Sequence, residues 1–418
     1  MNRIYYSLFL ILFFNVLVYS EPIVLNGKML PDLIGEPVRS IRVLDSKGKV
    51  IPFQIDEVTP EGEYVLNQGD KPNGADGNGV FDKQDEIVFL WKDADTAGFR
   101  PAEKKREVLA VVEREGNSRA VMLRVDSSVP LSKKRYIEYN DSKQFINTPY
   151  YYADFGKDRF HFTRAGVKNF KTGEYIHLTN ELRVKILLKA LWGLVPIRYS
   201  EENVVCLVRR YKCGPVRLIR RGDFHLNLGL GVKGSKASVN QICYPQMVKV
   251  PVRLHVPFRF RTFFSQAFLE MTPVIRKTGS SFKFTVPSGN LSIPFSQGSA
   301  DTLFHSIPDG KFFTVHKNGT GYGWLLQSTI KKSFLKGSGF VFRKPSRRSG
   351  YADCGYHLTV KDVPKGYYYI TNWVVFSGGS YSNLLENYRS LKSAASIEIN
   401  GRTHSNRLSL LSPLRVKK

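Results

Sequence analysis

Two stretches in the second half of the chain alternate between apolar and basic residues, and this pattern most constrains the fold. Residues 182–190 and residues 252–260 each interleave leucine, valine, isoleucine or phenylalanine with arginine, lysine or histidine. Successive side chains of a β-strand point to opposite faces, so a period of two predicts strands with one apolar and one cationic face. The first stretch also fits an amphipathic helix, because its apolar residues at 182, 186 and 190 are four apart; we prefer the strand.

The rest of the chain also favours strands and turns. The 418 residues include 34 Gly and 21 Pro but only 5 Met, and 42% are hydrophobic, enough for a sizeable core. Short strand-like runs occupy residues 23–25, 40–44, 50–55, 86–91, 107–112 and 120–125. We therefore predict a mainly β fold with few helices: a small N-terminal antiparallel β-sandwich followed by a larger β-sandwich. One helix is predicted at residues 383–394 from apolar residues at helical spacing.

Charge is distributed unevenly along the chain. Residues 21–150 hold 19 Lys plus Arg and 22 Asp plus Glu, net −3, whereas residues 151–418 hold 42 and 14, net +28. This asymmetry predicts a boundary near residue 150, between an N-terminal β-domain (21–150) and a large basic β-rich domain (151–418). The alternative is that the high net charge serves only solubility, because net charge says nothing about fold.

The N-terminal 20 residues are typical of a cleaved secretory signal. Arg3 precedes an apolar run over residues 4–18, and small residues precede Glu21. A membrane anchor is the alternative, but the run is short and Asn15 interrupts it. No Cys follows the cut site, and no later segment is apolar for long enough to span a bilayer. We expect an extracytoplasmic mature chain, periplasmic, on the outer surface or secreted, with no lipid anchor and no transmembrane segment.

Export makes disulfides possible among the four cysteines, Cys206, Cys213, Cys243 and Cys354. Three pairings are open, and so is the alternative that the cysteines are buried free thiols. Their spacing matches neither a zinc site nor a thioredoxin-like redox motif.

An Asp- and Asn-rich loop is a candidate calcium site. Asp76, Asn78, Asp82 and Asp85 fall at positions 3, 5, 9 and 12 of an EF-hand-type loop, with Gly79 at the turn position. The first carboxylate of that pattern is missing. The alternative is a hairpin loop in which these side chains cap their own backbone.

Two motifs resemble known families. Residues 52–57 (PFQIDE) and 77–90 (GNGVFDKQDEIVFL) resemble the N-terminal β-module of exported bacterial proteins, where a DGxFDxxDE loop leads into an apolar strand; similar loops occur in gingipain-type secreted peptidases. Residues 214–217 (GPVR) are similar to a strand of carbohydrate-active β-supersandwich proteins, such as rhamnogalacturonan lyases and mutarotase-like proteins. The resemblance implies a supersandwich-like second domain.

Other chemistry is thinly represented. Gly229, Gly231 and Gly234 spell GxGxxG, but no helix or acidic residue follows at the required distance, so we expect no nucleotide cofactor. The eight histidines show no paired metal spacing and no catalytic triad context, and no catalytic signature was found. Residues 367–369 and 373 are aromatic and could stack on sugars, but such strand residues are more often core or sheet surface.

The basic residues of the second half form the candidate binding face. They lie on neighbouring predicted strands, at Arg209, Arg210, Arg217, Arg220, Arg221, Arg253, Arg259 and Arg261. One continuous face would bind an acidic polysaccharide, lipopolysaccharide or membrane surface, in a salt-dependent manner. Two alternatives stay open: a polysaccharide lyase-type or other carbohydrate-active enzyme, and a structural component of the cell envelope. Nucleic acid is not expected as a partner of an exported chain.

Overall fold

The computed structural model describes residues 21–96, 107–114, 116–156, 160–179, 181–200, 205–227, 233–256, 258–276, 282–286, 291–295, 302–305, 312–343, 351–392 and 395–406. The predicted signal segment, as well as Gly229 and Gly231, lies outside these ranges. Over the described residues the chain folds into antiparallel sheets with one α-helix, so the predicted mainly β class is confirmed. None of the described helices is long and apolar enough to cross a bilayer.

Two small sheets at the start of the chain share one core. Their strands are β1 (Pro22–Asn26), β2 (Ile41–Leu44), β3 (Phe53–Asp56), β4 (Glu86–Leu90), β5 (Glu107–Arg114) and β6 (Asn117–Val125). One sheet has the order β1-β4-β3, and the other contains β2-β6-β5. Leu25, Ile87 and Val121 are fully buried in the core of this N-terminal sandwich. All six strands overlap the runs that the sequence predicts.

A third sheet follows and runs across residue 150. Its strands are β7 (Glu138–Asn140), β8 (Phe145–Asn147), β9 (Tyr151–Asp154), β10 (Arg164–Lys168) and β11 (Tyr175–Thr179), in sequential order. Tyr151, directly after the proposed boundary, is fully buried in the larger of the hydrophobic cores. Whether the chain folds as two independent units divided near residue 150 stays a prediction.

The second half forms a large sandwich. Its strands are β12 (Glu181–Ala190), β13 (Val195–Ser200), β14 (Val205–Cys213), β15 (Leu218–Asn227), β16 (Lys233–Cys243), β17 (Met247–Val256), β18 (Phe264–Arg276), β19 (Phe282–Val286), β20 (Leu291–Pro294), β21 (Thr302–His305), β22 (Phe312–Lys317), β23 (Thr320–Ser328), β24 (Leu335–Arg343), β25 (Tyr351–Val360) and β26 (Gly366–Ser377). The nine-stranded sheet has the order β14-β15-β16-β17-β26-β23-β22-β19-β20, and the six-stranded sheet β13-β12-β18-β25-β24-β21. Aromatic rings join the two sheets; Phe313 on β22 lies 5.6 Å from Phe340 on β24, centroid to centroid.

The chain ends by returning to the N-terminal sandwich. After helix α1 (Tyr381–Lys392), strands β27 (Ala395–Ile399) and β28 (Arg402–Asn406) form a hairpin. Strand β27 pairs with β5, which extends the second small sheet to the order β2-β6-β5-β27-β28. Ile397 on β27 is fully buried in the N-terminal core. The last described residues thus complete the first sandwich.

Both alternating stretches contain strands. Residues 182–190 lie within β12, so the prediction of a strand is confirmed and the helical alternative is wrong. The helix predicted at residues 383–394 corresponds to α1. The second stretch is correct only in part: β17 ends at Val256, and Phe260 begins a 3-10 turn, Phe260–Thr262. That turn carries the chain from the nine-stranded to the six-stranded sheet.

Candidate functional site

A buried ionic cluster joins the N-terminal sandwich to the large sheet. Arg217, which is 1% exposed, donates from Nε to Asp56 Oδ2 at 2.7 Å and from Nη2 to Glu86 Oε2 at 2.6 Å. Gln54 accepts from the Arg217 backbone N–H at 3.1 Å and donates to Asp56. The PFQIDE and GPVR segments, far apart in sequence, therefore meet in the interior.

Charge pairing sets the ionisation of this cluster. Burial alone raises the pKa of Asp56, but Arg217 and Lys212 outweigh it and bring that pKa below its ordinary value. Burial lowers the pKa of Arg217, while Asp56 and Glu86 raise it well above its usual range. Both groups stay charged and satisfied, which is the condition for tolerating buried charge.

Arg220 and Arg221 are also enclosed. Arg220 is 0% exposed and donates from Nη1 to Gln241 Oε1 at 2.7 Å, with its guanidinium 3.7 Å from the centroid of the Phe155 ring. Arg221 is buried and pairs with Glu63 at 2.6 Å. The expectation that Arg217, Arg220 and Arg221 lie on one exposed cationic face is therefore corrected: each is buried against acidic, amide or aromatic partners.

The other five predicted anion-binding arginines are more accessible. Arg209 and Arg210 are half-buried on β14. Arg253 is half-buried on β17, 4.2 Å from the centroid of the Tyr367 ring, whereas Arg259 and Arg261 are exposed beyond the end of that strand. Arg259 pairs with Asp362 at 2.8 Å. The binding role of these five residues stays a prediction.

The Asp- and Asn-rich loop is held by internal hydrogen bonds. Asp85 accepts from the Val58 and Asp82 backbone N–H groups, both at 2.8 Å, and Asn78 donates to Asp82 at 2.9 Å. Burial raises the pKa of Asp85 to about 6. Asp76 accepts from Asn73 at 3.1 Å. Among the described residues, no three His, Cys, Asp or Glu side chains are grouped to hold a metal ion. Calcium binding by this loop stays a prediction.

All four cysteines are free thiols in the structure. Cys206, Cys243 and Cys354 are buried and Cys213 is half-buried. Burial raises the pKa of Cys243 to about 12, which suppresses the reactive thiolate. Of the two alternatives left open by the sequence, the structure has free thiols, three of them buried.

One end of the large sandwich gathers exposed apolar side chains. We define the tip surface as residues 189–198, 253–256, 258–263, 331–336 and 361–367: the β12–β13 hairpin turn, the three connections between the two sheets at this end and the strand ends beside them. Of the ten exposed large hydrophobic residues in the described part of the chain, seven belong to it. They are Leu191, Leu194, Val195, Leu254, Phe258, Phe263 and Tyr367.

The tip surface is also strongly basic. It contains ten Lys plus Arg residues and one acidic residue, Asp362. Lys189, Arg261, Lys361 and Lys365 are exposed. Sequence reasoning found Arg253, Arg259 and Arg261, but it assigned the apolar residues of the same stretch, such as Leu254 and Phe258, to an inward strand face, whereas both are exposed. The available signal was apolar residues continuing through the turns, as in Leu191–Gly193 and Phe260–Thr262.

A polar and aromatic group lies on the third sheet. Tyr152 on β9 contacts His177 Nδ1 on β11 through its hydroxyl, crossing Gly166 on β10, where a Cβ would lie 2.4 Å from the Tyr152 ring. Arg164 pairs with Asp154 at 3.2 Å, and its guanidinium lies 6.0 Å from the centroid of the Tyr152 ring. His177 and Arg164 are exposed, so the group lies on an open sheet face.

An apolar cavity lies between the sheets in the described structure. It measures about 10 Å³, and Phe162, Leu178, Tyr322 and Trp324 are among its lining residues. A volume of this size corresponds to about one water molecule and holds no larger ligand.

Comparison with known proteins finds no matching family and no matching curated protein. Among solved structures, an alpha-mannosidase from Enterococcus faecalis aligns with a TM-score of 0.46 and 8% identity, over 93% of this chain and 44% of that chain. A protein from Synechocystis aligns with a TM-score of 0.34 and 9% identity, over 59% of this chain and 98% of that one. The chain thus spans less than half the length of the mannosidase. Similarity at these TM-scores supports no statement about the function of this chain.

Proposed function

We propose that the protein is an extracytoplasmic β-sandwich protein that binds a polyanionic surface through its tip surface. The observation that carries the proposal is the concentration of ten basic residues against one acidic residue at one end of the molecule. Such a surface raises the local concentration of anionic partners and speeds encounter, and salt weakens both effects. Acidic glycan, lipopolysaccharide and anionic lipid share the chemistry that this surface would recognise.

Charge reversal at the tip tests the proposal. In the triple variant Arg261→Glu, Lys361→Glu and Lys365→Glu, we expect elution from immobilised heparin, or release from anionic vesicles, at markedly lower salt than the wild type requires. The matched control is Lys28→Glu, Lys133→Glu and Lys143→Glu, three exposed lysines outside the tip surface. Both variants change the net charge equally. Equal weakening in both would attribute retention to overall charge and contradict a site at the tip.

A polysaccharide lyase-type enzyme is the second candidate, favoured by the contact between Tyr152 and His177 with Arg164 nearby. In such a reaction, an arginine neutralises the uronate carboxylate and a tyrosine or histidine removes the adjacent proton. The test is ultraviolet absorbance of unsaturated products from a panel of acidic polysaccharides, with Tyr152→Phe as the variant. If no substrate yields product, the lyase function is wrong and only the proposed binding function remains.

A further inference from the structure

We propose that the tip surface binds the face of an anionic lipid bilayer, with Leu191, Leu194, Phe258 and Phe263 entering the boundary between headgroups and acyl chains. This inference rests on the proposed function, because it names the polyanionic surface as a membrane. It adds a direction of approach, with the end of the large sandwich toward the lipid.

Binding by charge alone requires no exposed apolar side chains, yet several apolar side chains of the tip surface are highly exposed. Leu194 is 80% exposed, Leu191 51% and Phe263 49%. A soluble polyanion is held by cations and hydrogen-bond donors and gains little from leucine, which has no aromatic face to stack on a sugar ring. Contiguous exposed apolar groups with a polar rim mark an interaction site, and a bilayer is the anionic partner that also offers apolar volume.

The cations are arranged to meet headgroups while the apolar residues enter. The exposed Lys189, Arg261, Lys361 and Lys365 come from the same turns and strand ends as the exposed leucines and phenylalanines. Asp362, the acidic residue of the tip surface, is paired with Arg259 at 2.8 Å. Basic residues beside membrane-inserting apolar groups are attracted to anionic lipids, and long basic side chains reach toward phosphate while their stems lie along apolar surface.

Backbone hydrogen bonds hold the tip together before any partner binds. Leu191 donates its backbone N–H to Phe263 O at 3.0 Å, and Phe260 donates to Val363 O at 2.9 Å. Lys361 donates to Phe334 O at 2.9 Å, so the turn and the three connections are tied in series. The Phe258 and Phe263 rings meet edge to face with centroids 4.8 Å apart. The exposed apolar residues therefore share one ordered support, and little ordering entropy would be lost on insertion.

The test compares an apolar variant with a matched control on the full mature chain. The variant is Leu194→Ser with Phe263→Ser, and the control is Leu131→Ser with Phe170→Ser, two exposed apolar residues outside the tip surface. Binding is measured by co-sedimentation with vesicles of phosphatidylglycerol mixed with phosphatidylcholine, with vesicles of phosphatidylcholine alone, and by retention on heparin. We expect the variant to bind the anionic vesicles about tenfold more weakly or worse and to keep its heparin retention, while the control matches the wild type.

Depth of insertion gives a second, independent measurement. Leu194→Trp keeps an apolar side chain at the most exposed of the seven large hydrophobic residues of the tip surface and adds a fluorophore, and Phe170→Trp places the same fluorophore elsewhere. We expect brominated acyl chains to quench the added emission of Leu194→Trp and not that of Phe170→Trp. This measurement also tests the insertion of the tip surface if the serine variant fails to fold.

The outcomes separate this inference from the proposed function. If the wild type binds heparin but not anionic vesicles, the proposed binding to a bilayer is wrong, and a soluble polyanion is the partner. If the serine variant binds vesicles as well as the wild type does, and the emission of Leu194→Trp is not quenched, the proposed insertion of apolar side chains is wrong. The protein would then contact the membrane by electrostatic attraction alone. Binding to neither heparin nor vesicles at low salt would overturn the proposed function itself.

Discussion

Arg217 connects two parts of the chain more than 130 residues apart, because it pairs with Asp56 on β3 and Glu86 on β4. A sequence can indicate that Arg217 is basic, but not that it lies in the turn before β15, buried against Asp56 and Glu86. Strand alternation places side chains on two faces, and only the packing of the sheets decides which face meets solvent. Arg220 and Arg221 are consecutive on β15, so they point to opposite faces, and both faces are covered there. The predicted cationic face therefore contained three buried arginines.

We predict that Arg217→Met strongly destabilises the protein. The substitution leaves Asp56, which is 1% exposed, without one of its two ion-pair partners. Breaking a buried pair costs about 3–5 kcal/mol, whereas an exposed pair contributes about 1 kcal/mol or less. Arg164→Met, which removes an ion pair whose arginine side chain is 52% exposed, is the control. Urea unfolding is the measurement, and similar losses in both variants would contradict the assigned role.

His316 should make stability depend on pH. It is buried on β22, stacks on Tyr381 with centroids 4.8 Å apart, and burial lowers its pKa to about 4 from an ordinary value of 6.5. The folded state favours the neutral ring. The stabilisation from this residue is therefore complete above pH 6.5 and is lost as pH falls toward about 4, by up to ~3 kcal/mol.

We therefore predict that His316→Gln flattens the pH dependence of the unfolding free energy between these two pH values. Urea unfolding at several pH values measures this slope for both proteins. A variant whose slope equals that of the wild type would show that His316 is protonated as readily in the folded as in the unfolded state.

Strand positions were predictable from the sequence, but strand partners were not. Alternation identified the region of β12, and short apolar runs located β1 to β6, because local side-chain direction is encoded locally. The pairing of β27 with β5 joins residues nearly 300 positions apart, and no local pattern records it. The tip surface was missed for a related reason: the turns that compose it are scattered in sequence and meet only through sheet order.

The C-terminal hairpin should be essential to the N-terminal sandwich. We predict that Ile397→Ala costs about 2–5 kcal/mol, because Ile397 is fully buried opposite Val112 and its truncation leaves a cavity. Glu398→Ala, at the adjacent exposed position of the same strand, should change stability by about 0.5 kcal/mol or less. Hydrogen exchange of the β5 amides reports the loss directly. Unchanged protection of β5 in Ile397→Ala would show that β27 is dispensable there.

The Asp- and Asn-rich loop before β4 yields a separate prediction. If Asp76, Asn78, Asp82 and Asp85 bind calcium, the metal must displace the hydrogen bond that Asn78 donates to Asp82, so we expect weak binding. Calorimetry should show heat for the wild type and none for Asp82→Ala, while Asp141→Ala, an exposed carboxylate on another loop, behaves as the wild type. No heat and no thermal shift with the wild type would leave the loop as a self-capped turn.

At the scale of the whole molecule, the charge asymmetry has two structural components. Part of the excess of arginine in the second half is internal, paired with Asp56, Glu86 and Glu63 from the N-terminal sequence. Other basic residues reach solvent, among them Lys189, Arg261, Lys361 and Lys365 at the tip surface, where exposed apolar residues lie beside them. Net charge therefore overstates the cationic face that a partner would meet and indicates nothing about where it lies.

The last prediction concerns how the protein is held in the cell. We predict a mature chain that begins near Glu21 and is attached to a membrane peripherally, because the tip surface combines exposed cations with exposed apolar groups. N-terminal sequencing locates the start of the mature chain.

In membrane fractions, high salt alone should release only part of the protein, since it weakens the electrostatic contribution and not apolar insertion, whereas alkaline carbonate should release all of it. The Leu194→Ser and Phe263→Ser variant should leave the membrane with salt alone. Resistance of the wild type to carbonate, or an intact Arg3 in the mature protein, would instead indicate an uncleaved N-terminal anchor.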